Sequence, residues 1–211
     1  MKKSFFFSIS NIVLGSFILI QLTACATMNE SECRVADWEM IGLEDGSKGR
    51  QTSYIGQHRK ACSGYQITPD LDAYLRGHAQ GLRQFCTEAN GYAQGVRGYE
   101  NNQLCTANWA KGFNKGYRDG FKVFKVKSDI YQVSDQINSL RNRLESNSQL
   151  IRTKEEQIIN NATSPQRKRE LLDQIKDLTA ESEAIYREIE HLEIQLARLE
   201  SQYQRLINRR S

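Results

Sequence analysis

The sequence predicts an all-α protein in two parts, a small disulfide-stapled helical domain followed by a long antiparallel coiled-coil helical hairpin. Three observations carry that expectation. Glycines recur at helical spacing behind aromatic residues between positions 38 and 120, and four cysteines fall between positions 33 and 105. From Val123 onward, apolar residues repeat at alternating steps of three and four almost to the end of the chain. The segmentation that follows is a leader over 1–24, a Cys/Gly/aromatic-rich helical domain over 25–121, and a hairpin over 122–211 with its tip near 160–166.

The leader comes first. Lys2 and Lys3 precede an apolar stretch from Phe5 to Leu22, the layout of a secretory signal, which is set aside in reasoning about the fold. It closes on Leu22-Thr23-Ala24-Cys25, which resembles the lipobox of bacterial lipoproteins: a Leu, two small residues, and the Cys that is acylated before cleavage. The resemblance implies a mature chain beginning at Cys25 and held to a lipid bilayer through that residue. The competing reading, an uncleaved span of about 18 apolar residues, is weakened by Asn11 and several serines. Ala26 rather than Asp follows Cys25, which points to the outer membrane of a bacterial cell envelope, facing the periplasm. Few residues separate Cys25 from Cys33, so the first domain is expected close to that membrane.

In an oxidising compartment the remaining Cys33, Cys62, Cys86 and Cys105 form an even set, and two disulfides are expected. No C-x-x-C pair occurs, which argues against zinc and against thiol–disulfide exchange. Three connectivities exist for four cysteines. Cys33 precedes one expected helix and Cys62 follows the next, so an antiparallel pair of helices would join them; Cys86 and Cys105 would close the excursion between two further helices.

Four units make up the glycine pattern: Trp38-x3-Gly42-x3-Gly46, Tyr74-x2-Gly77-x3-Gly81, Tyr92-x2-Gly95-x2-Gly98 and Phe113-x2-Gly116-x3-Gly120. Residues three and four apart share a helix face, so each unit would set a ring beside a bare strip of backbone. Each Gly costs about 1 kcal/mol relative to Ala in a helix, and repeating that cost suggests close packing of short helices. Asp45-Gly46 and Asn90-Gly91 compete with this reading, because both are strong turn dipeptides, and a turn is expected at each. One helix is expected to start at Thr68-Pro69, with Thr68 as cap, and to stop near Cys86; another starts between Leu104 and Asn108.

These landmarks (Cys33-x3-Asp37-Trp38-x3-Gly42-x2-Asp45-Gly46-x2-Gly49, His58-x3-Cys62, Tyr74-x2-Gly77-x3-Gly81-Leu82-x2-Phe85-Cys86, Asn90-Gly91-x3-Gly95-x2-Gly98 and Cys105) together resemble a bacterial lipoprotein family catalogued as domain of unknown function 2799. The resemblance covers about residues 33–120. It implies a small secreted domain framed by these Cys and Gly residues, and it carries over no catalytic or ligand residue.

The hairpin is read from its seam. Val123 to Ile158 and Leu171 to Leu206 each keep the three-and-four alternation, broken by Asn160-Asn161-Ala162-Thr163-Ser164-Pro165, where Ser164 can cap and Pro165 can open the second helix. So short a connection favours antiparallel arms. If facing residues sum to 329, Ile137 meets Leu192 and Ile151 meets Leu178, while the two uncharged polar seam positions, Asn147 and Ser182, share one layer. A shared polar layer can fix register. At the tip, Arg167, Lys168 and Arg169 sit in the first turn of the second helix, where the helix dipole disfavours cations. A solvated charge run explains them; a docking site for an anionic partner is the alternative.

Composition excludes some functions. The 29 basic and 25 acidic residues give net +4, of which Lys2 and Lys3 supply two, and neither half carries the one-sided field of a nucleic-acid binder. Asp37, Glu44, Asp45, His58 and His78 are the residues that could suggest a reaction. No motif organises them, Asp37 reads as a cap, and no cofactor or metal is expected. The expectation is a non-enzymatic structural or interaction module whose rigid hairpin reaches an envelope protein. The alternative is a glycan- or peptidoglycan-binding first domain, with the hairpin mediating homo-oligomerisation. A hydrolase is the third reading, and it requires a cleft gathering those acids and histidines.

Overall fold

In a computed structural model, residues 28–209 are described, and all regular structure among them is helical. Seven α-helices follow in order: α1 Glu30–Arg34, α2 Trp38–Ser47, α3 Ile55–Ser63, α4 Leu71–Phe85, α5 Glu88–Val96, α6 Ala107–Ile159 and α7 Pro165–Asn208, with a 3-10 turn at Thr52–Tyr54 leading into α3. The leader and Cys25 lie outside the described residues. No helix among the described residues is long and apolar enough to cross a membrane.

Helix starts follow their caps. Asn29 forms a capping box with Glu32 at α1, and Asp37 accepts the backbone N–H groups of Glu39 and Met40 at α2, each at 3.0 Å. Helix α4 begins two residues later than the Thr68-Pro69 signal suggested. Asp70 is the N-cap, accepting from the Ala73 amide at 3.0 Å, because a carboxylate is a stronger acceptor for the free N–H groups than a Thr hydroxyl. Thr106 stands before α6, within the interval the sequence marked.

Both turn readings are corrected. Asp45-Gly46 lies inside α2 and Asn90-Gly91 inside α5. These glycines serve packing rather than chain reversal. Helices α2 and α4 run parallel with their backbones touching. A Cβ on Gly42 would stand 2.1 Å from the Tyr74 carbonyl oxygen, one on Gly46 2.2 Å from that of His78, one on Gly77 1.8 Å from that of Glu39, and one on Gly81 2.1 Å from that of Leu43. Helices α5 and α6 repeat the contact: Gly91 on Phe113, Gly95 on Tyr117, Gly116 on Glu88 and Gly120 on Tyr92, at 2.0–2.3 Å. No side chain fits in these seams, so the helices approach as closely as Gly-x3-Gly pairs permit.

The domain is therefore built twice. Gly42, Gly46 and Gly49 correspond to Gly91, Gly95 and Gly98, each 49 residues later; Gly77, Gly81 and Phe85 correspond to Gly116, Gly120 and Phe124, each 39 later. Gly49 (φ +71°) and Gly98 (φ +73°) each leave the first helix in the left-handed region and receive the ring of Phe85 or Phe124. Exposed ion pairs repeat as well, Arg76–Glu39 in one unit and Lys115–Glu88 in the other.

Both disulfides have the expected partners, Cys33–Cys62 (Cα–Cα 5.7 Å) and Cys86–Cys105 (5.6 Å). Cys33 is itself in a helix, α1, and the first bridge ties α1 to α3 over a core of Met28, Trp38 and Ile41. The second lies against Phe113, Leu82 and Phe85 at the junction between units.

Helix α6 passes without interruption from the second unit into the hairpin. Its 53 residues span about 80 Å at 1.5 Å per residue. The chain reverses over 160–164, and Ser164 caps α7 by accepting from the Arg167 amide, with Pro165 as first residue. Val133, Ile137, Ile185 and Ile189 form the buried centre of the seam, flanked by Leu140, Leu144, Leu192, Leu196 and Leu199. Asn147, 5 % exposed, donates to Ser182 Oγ at 3.3 Å, which is the register with facing positions summing to 329. Lys154 reaches Gln174 rather than staying within the apolar seam.

Candidate functional site

The first unit encloses a charged cluster that its counterpart lacks. Asp45, on α2 within reach of both α3 and α4, is 2 % exposed. Its Oδ2 accepts from Tyr74 Oη at 2.9 Å and from His58 Nε2 at 2.8 Å, and its Oδ1 accepts from Arg50 Nη1 at 2.7 Å. Helix α2 supplies the acid, α4 the phenol and α3 the imidazole, while Arg50 follows the left-handed Gly49. The Arg50 guanidinium also lies 4.1 Å above the Tyr54 ring, and its carbonyl oxygen accepts from His78 Nε2 at 2.7 Å.

Burial works against charge on Asp45, yet the hydrogen bonds from His58, Tyr74 and Arg50 outweigh it and hold the carboxyl below its ordinary value. Burial and the neighbouring Asp45 carboxylate push the Tyr74 phenol well up, so it remains a donor. With Nε2–H given to a carboxylate that only accepts, His58 keeps its Nδ1 buried without a hydrogen-bond partner among the described residues. The Trp38, Tyr54 and Tyr74 rings surround the imidazole at 5.3–6.4 Å between centroids. A groove of about 510 Å³ borders the cluster, lined by Met28, Ile41, Glu44, Lys48 and Tyr54 among others.

Of the five residues that could suggest chemistry, the structure brings Asp45 and His58 together and places His78 on the adjoining Arg50 carbonyl. Asp37 is spent on capping, and Glu44 pairs with Lys48 at the surface. Sequence reasoning missed Arg50 and Tyr54, and it counted Tyr74 only as a packing ring. Setting the two glycine units in register would have exposed all of them except Tyr54, since Asp45, Arg50 and Tyr74 fall opposite Gln94, Tyr99 and Phe113.

A family model described as "Protein of unknown function (DUF2799)" matches residues 37–122. Over that segment the chain is similar to this family. The DUF2799 segment thus begins at the Asp37 cap and ends just past Gly120, enclosing both glycine units and the Asp45 cluster. No curated protein and no solved structure matches the chain.

The chemistry open to the cluster is narrow. Three donors from within the fold already engage Asp45, and no group of three or more metal-binding side chains occurs among the described residues. What it does physically is hold an ionised carboxylate at the meeting point of α2, α3 and α4. At the far end of the molecule, Arg167 pairs with Glu170 at 3.0 Å, and Lys168 and Arg169 lie beside it in the first turn of α7.

Proposed function

We propose that this protein is a lipid-anchored envelope lipoprotein acting as a non-enzymatic interaction module, with the DUF2799 segment near the membrane and the helical hairpin carrying its tip to a partner. The observation that carries the reading is the continuity of α6: one helix runs from the second glycine seam to the tip, so the second unit and the rod share a single helix. The lipobox-like Leu22-Thr23-Ala24-Cys25 supports attachment at the other end. Internal use of the Asp45 carboxylate supports a structural role for the one cluster that might otherwise suggest catalysis. Exposed Ile159 (77 %) and Leu172 (55 %) flank the cations Arg167, Lys168 and Arg169 at the tip, a mixture suited to a protein surface with acidic and apolar character.

Two measurements test the proposal. A fatty-acid probe should label the wild type and not Cys25→Ser, and the variant should leave the membrane fraction; labelling that persists in Cys25→Ser would sink the anchor. A photo-crosslinker at Gln166 should trap one discrete partner in intact cells. That product should fall when Arg167, Lys168 and Arg169 become Gln. Equal capture by the triple variant would remove the basic turn from the interface.

A further inference from the structure

The exposed apolar side chains of the first unit gather at one end of it. Among the described residues they are Val35 (83 % exposed), Met40 (54 %), Tyr65, Leu71 and Leu75. Val35 stands just before α2 and Met40 in its first turn; Leu71 opens α4 and Leu75 follows one turn later. The two helices run parallel with Gly42 level with Tyr74, so these four positions share the N-terminal end of the pair. Tyr65 lies in the connection from α3 to α4, two residues before Ile67, which packs on the cluster of Met28, Cys33 and Cys62. The opposite end, where Gly49 receives the Phe85 ring, exposes no large apolar side chain among the described residues. Single exposed apolar residues are ordinary on a protein surface, whereas a group of them marks a contact face.

The chain enters at the same end. Met28 is buried in the cluster that Cys33, Cys62, Trp38 and Ile41 form at the start of α2, and Asn29 caps α1 directly after it, so the entry point is fixed to the fold. Cys25 lies three residues before Met28, a reach of at most about 11 Å. We propose that the N-terminal end of the α2–α4 pair is the face that rests on the lipid bilayer, with Val35, Met40, Tyr65, Leu71 and Leu75 set at headgroup level. The assignment rests on acylation at Cys25, the reading given above, because a tether this short brings this end to the membrane rather than the end at Gly49 and Phe85. A phenol such as that of Tyr65 suits a boundary with one apolar and one wet side. The acids of this end are already engaged: Asp37 and Asp70 cap their helices, and Glu39 pairs with Arg76. No excess of cations accompanies them, so the face suits a zwitterionic headgroup layer and needs no anionic lipid.

The test uses the full acylated chain in phosphatidylcholine vesicles, with a photo-crosslinking amino acid placed at Val35, at Leu71 or at Gln84. Gln84 is exposed near the C-terminal end of α4, about 20 Å beyond Leu71. Irradiation should give phospholipid adducts, read by mass, from Val35 and Leu71 and none from Gln84. Met40→Asp should lower the Val35 adduct several-fold while the chain stays acylated and membrane-bound. The mass of the N-terminal peptide separates the two ways of failing. An acylated chain with no adduct at Val35 and Leu71, with equal adducts at all three positions, or with a Val35 adduct that Met40→Asp leaves unchanged would overturn the bilayer face and leave the anchor standing. A chain without the acyl group would overturn both.

Discussion

The two glycine units share a backbone plan and differ in what they enclose. In each, parallel helices meet through Gly-x3-Gly strips, a left-handed glycine admits a phenylalanine ring, and a side chain of the second helix donates to the carbonyl of the residue after that glycine: His78 to Arg50 at 2.7 Å, Tyr117 to Tyr99 at 2.8 Å. In one unit the outer face of the first helix buries an ionised acid under a short helix; in the other the same face opens on a cavity with amide and aromatic groups. The seam alone therefore suffices for the pairing of helices, because the second unit achieves it without the charged cluster. The cluster has a separate task, anchoring α3, which makes no glycine seam of its own.

Breaking the cluster should give the largest effect. Asp45→Ala leaves the buried donors of His58 and Tyr74 without their acceptor and should cost about 3–5 kcal/mol in urea unfolding. Gln94→Ala at the counterpart, where the side chain has one long 3.4 Å hydrogen bond to Asn90, should cost under about 1 kcal/mol. Similar losses at both positions would erase the distinction between the units.

The shared seam is tested by adding one methyl group to each unit. Gly77→Ala and Gly116→Ala drive a Cβ to 1.8 and 2.0 Å from a backbone oxygen, and neither helix can yield without separating. Each should cost about 3 kcal/mol. Gly56→Ala in α3, with nothing within 4 Å, should be neutral or stabilise by up to about 1 kcal/mol.

The disulfides sharpen the comparison less. Opening Cys33–Cys62, at a sequence separation of 29, and Cys86–Cys105, at 19, should cost about 3.6 and 3.2 kcal/mol on chain entropy. A much larger loss for the first, read from the Cys→Ser pairs, would show that the Asp45 cluster depends on the bridge that holds α3.

The smallest effect is a pH dependence confined to the first unit. The carboxyl of Asp45 is held below its ordinary value of 3.8, so the unfolded chain takes up the proton first as pH falls. Its stabilisation is present above that value and is lost as pH drops through the lower folded value. Amide exchange in α2 and α3 should accelerate below about pH 4 relative to α5, and Asp45→Asn should abolish the difference.

Several elements were legible in the sequence because their signals are local or strictly periodic. Asp37, Ser164 and Pro165 act where their cap chemistry placed them, and the hairpin register follows from one polar layer, Asn147 with Ser182. The glycines were seen but half misread. Asp45-Gly46 and Asn90-Gly91 carry turn chemistry, and that local preference was overridden by helix contacts of Gly46 with His78 and of Gly91 with Phe113, far along the chain. The duplication was hidden because the two connections differ in length, which breaks a single repeat period into shifts of 49 and 39.

The sequence by itself determined the helical class, the long hairpin and its register, since periodicity does not depend on where distant residues lie, while the expected cysteine pairing was one of three until the structure decided it. Only the tertiary structure decided that the glycine helices run parallel with backbones in contact, and that Asp45, Arg50, His58 and Tyr74 converge. It alone revealed that the second unit leaves open the face that α3 covers in the first. Those features rest on contacts between segments whose separation along the chain carries no signal, and a missing Cβ acquires its meaning from the carbonyl oxygen that takes its place.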